Sequence, residues 1–246
     1  MSRYLIIINF RTVITLLLSV GVTFLAYQFR VVYNIDLTLM SIAIIFPLVF
    51  TIRGAFRRRE KALEHLSRFR ASLKTVENFL NHSSQLDANG KEEALVITRK
   101  INDELYDHLT TTSEDTSGLD ASINSISAFI ENKNEFIPKG CKEKIFRFLK
   151  DVIESSDNLV AIHAHRTPIS LKAYCLVFIY IFPVIYTPTI INKIGVDNPS
   201  WLTFFIVILS EFILISLYNI QYQMEYPFDD EGLDDIKFKL FDVHRK

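Results

Sequence analysis

The chain has 246 residues, a formal net charge of −1 and a hydrophobic fraction of 49%. So small a net charge excludes the broad basic field that nucleic-acid binding uses. Two cysteines, Cys141 and Cys175, with no CxxC spacing exclude a zinc ribbon or a disulfide framework.

Distribution says more than average: apolar residues crowd the two ends of the chain, and charges crowd the middle. A bilayer core needs roughly 20 mostly apolar helical residues. Thr12 to Phe29 is the first such run, uncharged until Arg30. It follows a short basic stretch but carries no small-residue cleavage pattern, so a signal peptide is not expected. Leu37 to Ile52 is the second run, short alone but continuous with a basic helix. Leu171 to Ile191 is the third, with Lys172 near its start, and Trp201 to Ile220 is the fourth, with Glu211 inside it. Lipid satisfies no backbone polar group, so continuous apolar runs of this length predict helices.

Basic residues set the orientation. Arg3 and Arg11 precede the first span, Arg53 to Lys61 follow the second, and Arg166 and Lys172 flank the third. Threading four spans puts all of them on one side, which should be cytosolic, as should both termini. The opposite loops, Arg30 to Asp36 and Asn192 to Ser200, are short, and Trp201 sits where an interfacial aromatic belongs. A buried water-soluble bundle is the plainer alternative, and the charge asymmetry disfavours it.

Between the second and third spans the chain reads as helix again. Leu63, Leu66, Phe69, Leu73, Val76 and Leu80 recur at three- and four-residue steps, which predicts one amphipathic helix from Arg53 to Asn81 continuing the second span. Asn81 to Gly90 reads as a loop, Glu92 to Leu109 as a helix, and Thr110 to Gly118 as a second loop. Asp120 is the expected cap of a helix reaching Asn134, and Pro138 opens another that runs toward Thr167–Pro168. No repeat and no separate soluble domain are expected; these helices read as extensions of the spans. The divisions are residues 1–52 with the first two spans, 53–170 as a cytosolic helical region, 171–220 with the last two spans, and 221–246 as an acidic cytosolic tail.

Four features are candidates for function. Ile42, Phe46 and Phe50 in the second span stand four residues apart, on one helical face. Such a stripe meets lipid or a neighbouring helix in most proteins; around a shared axis it would make stacked apolar rings that gate by dewetting. Arg57, Arg58 and Arg59 at the end of that span are either a positive-inside anchor or a vestibule that gathers anions. Glu211, an acid at membrane depth, must face protein or water, as a functional group or as a structural hydrogen-bond partner. The tail from Glu225 to Asp235 clusters carboxylates, hard oxygen ligands that suit calcium, without EF-hand spacing. His163 and His165 are two apart and point to different faces, so a metal pair is not expected. No Walker loop, GxSxG or HExxH is present, which disfavours an enzyme.

Taken in order, these motifs resemble the bestrophin family of pentameric ion channels. Ile42, Phe46 and Phe50 match the family's Ile–xxx–Phe–xxx–Phe neck, and Arg57 to Glu60 match the basic segment after it. His165, Arg166, Thr167, Pro168 and Ile169 are similar to the Arg–Thr–Pro–Ile–Pro turn that opens the third span. Glu225, Tyr226, Pro227 and Phe228, with the acids after them, are similar to the Glu–Asn–Pro–Phe–Gly–Asp segment after the fourth. The sequence departs from the pattern at Ser170, at Arg58 and Arg59 where relatives carry a Trp pair, and at Tyr226 and Asp229. The resemblance implies an all-α membrane protein with four transmembrane helices per subunit, long cytosolic helical extensions and a homopentamer around one pore. It implies chloride and similar anions as cargo, with Ile42, Phe46 and Phe50 lining the neck. It also implies calcium as a conditional ligand, with Glu231 and Asp234 at the positions of the acidic ligands. No nucleic acid is implied. The competing readings are a non-conducting membrane scaffold or receptor, whose cytosolic helices bind a partner, and a transporter relaying protons or ions through Glu211.

Overall fold

The computed structural model describes residues 7–111, 113, 115–195, 198–229, 232 and 235–245. Among them it is helical, with no strand. The seven α-helices are α1 Phe10–Gln28, α2 Thr38–Asn81, α3 Ala88–Thr110, α4 Ser117–Asn132, α5 Lys139–Ala164, α6 Ile169–Ile194 and α7 Ser200–Met224. Four helical stretches are long and apolar enough to cross a membrane, those of α1, α2, α6 and α7. The chain is thus a multi-pass membrane protein.

Two compact units divide the chain. One holds Met1–Arg57 and Thr167–Glu225, and the other holds Arg58–Arg166 with Asp235–Lys246. In the first, α1 buries only small residues: Thr12, Thr15, Ser19, Thr23 and Ala26. Small side chains let helix backbones approach closely where water supplies no hydrophobic drive. A second core joins α2, α6 and α7 through Ile44, Leu48, Cys175, Ile179, Phe182, Leu214 and Ile215. α1 ends in a Schellman turn, with Val31 N–H on the Ala26 carbonyl (2.9 Å) and Arg30 N–H on that of Tyr27 (3.3 Å). The turn places Arg30 at φ 51°, a region glycine usually fills. α6 ends at Gly195, φ 89°, whose N–H donates to the Ile191 carbonyl at 2.9 Å and whose lack of a Cβ suits that backbone.

In the second unit, the predicted helix after Arg53 is the C-terminal part of the unbroken α2. Its stripe Leu66, Phe69, Leu73, Val76 and Leu80 is buried at 0–1% exposure. Onto it pack Ile101 and Leu105 of α3, Ile126 and Phe129 of α4, and Ile145, Val152 and Leu159 of α5. The tail joins the same core through Phe228, Ile236 and Val243. The expectation of mere extensions is therefore corrected: these helices close on a hydrophobic core of their own.

Boundaries shift where capping chemistry outweighs periodicity. α3 begins at Ala88 rather than Glu92, because the Asp87 carboxylate caps the Gly90 N–H at 2.9 Å. α4 begins at Ser117, so Asp120 is not the cap but a first-turn acid, bonded by the Thr116 hydroxyl at 3.1 Å. α5 opens directly after Pro138, as predicted.

Beside the loop between α3 and α4, His108 and His163 meet edge to face, with ring centroids 5.8 Å apart. His163 Nε2 lies 3.0 Å from the Thr111 carbonyl, and His108 Nδ1 lies 3.2 Å from that of Asp115. Burial pushes the His163 pKa down, with Arg166 and His108 adding to the effect against the Thr111 bond.

Phe69→Ala should destabilise this core by about 3–5 kcal/mol, from lost transfer energy plus the cavity left behind; chemical denaturation followed by circular dichroism measures it. A histidine held neutral in the fold binds its proton more readily once unfolded. His163 thus contributes stability that is present above the ordinary histidine pKa, about 6.5, and is lost as pH falls through its lower folded value. Melting temperature should drop on acidification below that point, and His163→Gln should make the drop shallower.

Candidate functional site

The candidate site is one face of α2, and it is defined by what holds the opposite face. Ile44 and Leu48 are 3% and 1% exposed in the core with α6 and α7. Pro47 lies inside the helix and brings no N–H, which strips the Ala43 carbonyl of its helical partner. Tyr174 of α6 replaces the lost donor: its hydroxyl donates to the Ala43 carbonyl at 3.2 Å. Toward the start of α2, Tyr186 of α6 engages the Ser41 hydroxyl and donates to the Leu37 carbonyl at 3.4 Å, while its ring stacks on Phe182 at 4.0 Å. Two tyrosines and a proline thus fix the rotation of α2 about its own axis.

With that rotation fixed, Ile42, Phe46 and Phe50 point away from the bundle, at 46%, 56% and 59% exposure. At 100° per residue the three centre directly opposite Ile44, Leu48, Thr51 and Ala55, the buried positions. The Phe46 and Phe50 rings lie 6.0 Å apart, so the stripe is continuous. On the same helical face follow Arg53 and Arg57, three and seven residues beyond Phe50 and both exposed. Arg58 and Arg59 are half-buried and turn to other faces of the helix. Of the three arginines singled out from sequence, only Arg57 continues the apolar stripe.

Glu211 is elsewhere, on the interior face of α7. It is fully buried, and neither carboxyl oxygen has a hydrogen-bond partner among the described residues.

Glu231 and Asp234 lie outside the described residues. Among those described, no group of three or more His, Cys, Asp or Glu is placed to hold a metal ion. The best-placed acid near the tail, Glu225, has its oxygens committed: Oε1 accepts from the Thr167 N–H at 2.8 Å, and Oε2 from Lys172 Nζ at 3.1 Å and Gln221 Nε2 at 3.2 Å. The described residues therefore do not fit calcium, and no step is derived through it. What they form instead is a staple joining the start of α6 to the end of α7. Sequence reasoning placed Glu225 in an acidic tail and Lys172 in a charge count; their pairing, 53 residues apart, has no local signal. Tyr174 was equally hidden, although Pro47 itself announces an orphaned carbonyl in need of a donor.

No family model matches the sequence, and no curated protein does. Solved structures do. A variant of a bacterial bestrophin homologue from Klebsiella pneumoniae gives a TM-score of 0.77 at 13% identity, over 94% of this chain and 93% of that one. A second variant of that homologue gives 0.76 at 13%, over 94% and 95%. A crystal structure described as that of a membrane protein gives 0.77 at 13%, over 94% and 93%. The chain has a bestrophin-like fold.

Removing one member of a buried ion pair strands the other. Lys172 and Glu225 are 16% and 0% exposed at their side chains. Glu225→Ala should therefore cost about 3–5 kcal/mol, read as a lowered melting temperature in detergent, and Lys172→Met in the same background should recover much of it.

Proposed function

We propose that this protein is an ion channel that passes chloride and similar monovalent anions, passively, through an apolar neck at the centre of a homopentamer. One observation carries the reading: the stripe Ile42, Phe46, Phe50 faces away from its own subunit's core and runs on into Arg53 and Arg57. Arginines at that end also serve as a positive-inside anchor; that Arg53 and Arg57 keep to the face of Ile42, Phe46 and Phe50 supports a shared path. Around an axis, five copies give three stacked apolar rings followed by rings of positive charge. The rings form a constriction that sheds water, and phenylalanine edges carry the partial positive charge that suits a partly dehydrated anion. The arginines raise the local anion concentration at the mouth; Arg58 and Arg59, off the stripe, add to the field without lining the path.

Excess Lys and Arg before α1, from Arg53 to Lys61 within α2 and around the start of α6 put that mouth, the region 53–170, the tail 221–246 and both termini in the cytosol. Glu231 and Asp234 remain the positions through which calcium would act, if it acts.

The test is flux into liposomes containing the purified protein, with chloride exchanged for larger anions and sodium for larger cations, with and without calcium. Chloride should dominate the current. Phe46→Ala and Phe50→Ala should each raise flux about tenfold, equivalent to about 1.4 kcal/mol off the barrier, or shift the permeability ratios. Unchanged currents in both variants would remove the neck assignment, and cation-dominated current would remove the anion. A monomer or dimer that conducts nothing would favour the scaffold.

A further inference from the structure

A charged side chain without partners at membrane depth is strongly destabilising, and Glu211 stands at that depth with no partner for either oxygen among the described residues. Its level in the bundle follows from the bonds at either end of the α1–α7 seam. Asn219 Nδ2 donates to Thr12 Oγ1 at 2.9 Å, and Tyr27 donates to Thr203 Oγ1 at 2.8 Å. The two helices are therefore antiparallel, and with equal rise per residue Glu211 lies level with Ser19.

The α1 residues around that level offer acceptors and no donors. Thr15 donates to the Thr12 carbonyl at 3.0 Å, Ser19 to that of Thr15 at 2.9 Å, and Thr23 to that of Ser19 at 2.7 Å. Each hydroxyl proton is committed to the backbone of α1, while each oxygen keeps lone pairs. An ionised carboxylate, which only accepts, finds no uncommitted hydroxyl proton on α1. A carboxylic acid, which carries one O–H, finds oxygens on which to place it.

No other charge stands at this depth. Glu211 is the only charged residue of α7, α1 carries only Arg11, and α6 carries only Lys172 and Lys193 near its ends. Arg11 lies about two turns away along the seam, over the rings of Tyr218 and Tyr222. The other titratable groups facing the bundle are occupied or distant. Tyr27 is bonded to Thr203, Tyr33 to the Ile185 carbonyl and Tyr186 to Ser41, and Cys175 lies in the core toward the other end of α6. Thr187 and Thr189 of α6 add two buried hydroxyls without partners among the described residues.

We propose that Glu211 is an intramembrane proton-binding site, its carboxyl group carrying a proton that it shares with the acceptor oxygens of the α1 seam. Loss of that proton sets an unpaired charge between α1 and α7 and loosens their packing. The proposal is independent of conduction, and its readouts do not require current.

Infrared difference spectroscopy on the full chain in lipid nanodiscs tests it. At neutral pH the wild-type protein should show the carbonyl stretch of a protonated carboxylic acid. The band should be lost in Glu211→Gln and should convert to carboxylate bands at alkaline pH. Carbon-13 glutamate should shift it in the wild-type chain, which assigns the band to a glutamate, and Glu211→Asp, which keeps a carboxyl group that the label does not reach, should lose that shift and decides the point even where Glu211→Gln fails to fold. Melting temperature should fall as pH rises in the wild type, and stay level in Glu211→Gln. Absence of any protonated-acid band that the label moves would overturn the proposal. So would a melting temperature that follows sodium concentration in place of pH, since that would make the group a carboxylate holding a metal cation.

Discussion

Hydrocarbon offers no hydrogen bonds, and the membrane part of this protein is arranged around that constraint. Helices satisfy the backbone, but each proline inside a span reopens one carbonyl, and each polar side chain adds a further need. Side chains of other segments answer several of these needs. Tyr174 serves the carbonyl freed by Pro47, Tyr33 reaches the Ile185 carbonyl at 3.0 Å, and Asn9 donates to Asn219 across the seam at 3.0 Å. These bonds fix rotation and register, which apolar contacts against equally apolar lipid do poorly. The direction in which α2 presents its phenylalanines is a consequence of where α6 places its tyrosines.

The second unit obeys the opposite rule. Its helices bury a stripe of leucine and phenylalanine away from water, and their outer faces carry exposed pairs such as Arg68 with Asp151 and Glu154, at 3.0 and 3.1 Å. Exposed pairs of this kind contribute little, with a median near 0–1 kcal/mol, so the unit's stability rests on its core. The tail contributes to that core: Phe238 packs on Tyr106 with centroids 4.7 Å apart, and Arg70 Nε donates to the Asp242 carbonyl at 3.0 Å. The acidic tail is thus tied down by the apolar residues that flank its acids.

Much of this was legible in the chain because the bilayer imposes a length and a composition that a single segment must meet alone. All four spans, the unbroken passage from Thr38 to Asn81 and the opening of α5 after Pro138 follow from such local signals. The bestrophin-like fold followed from short motifs in a set order, at an identity to the solved relatives too low for composition to reveal it. The partners of Glu225, Tyr174 and His163 were not legible. Apart from Gln221, which serves Glu225, each lies 52 to 131 residues away in sequence, and one side chain says what it needs but not which distant group supplies it. Helix starts were misjudged where a single carboxylate, Asp87, outweighed the apolar period.

The glutamate inside α7 and the one that ends it show how placement, not residue type, assigns roles. Glu225 stands just past the last helical residue, where a lysine, a backbone amide and a glutamine converge on it, and it binds two spans together as an anion. Glu211 stands almost four turns earlier, buried and with no hydrogen-bond partner for either oxygen among the described residues. The same carboxyl group there has no cation at its level, so the surroundings favour the form that brings its own proton. Both glutamates are buried, at 3% and 0% exposure, so burial alone does not separate them. What separates them is whether donors reach the carboxyl group: the Thr167 amide, Lys172 and Gln221 reach Glu225, and none among the described residues reaches Glu211.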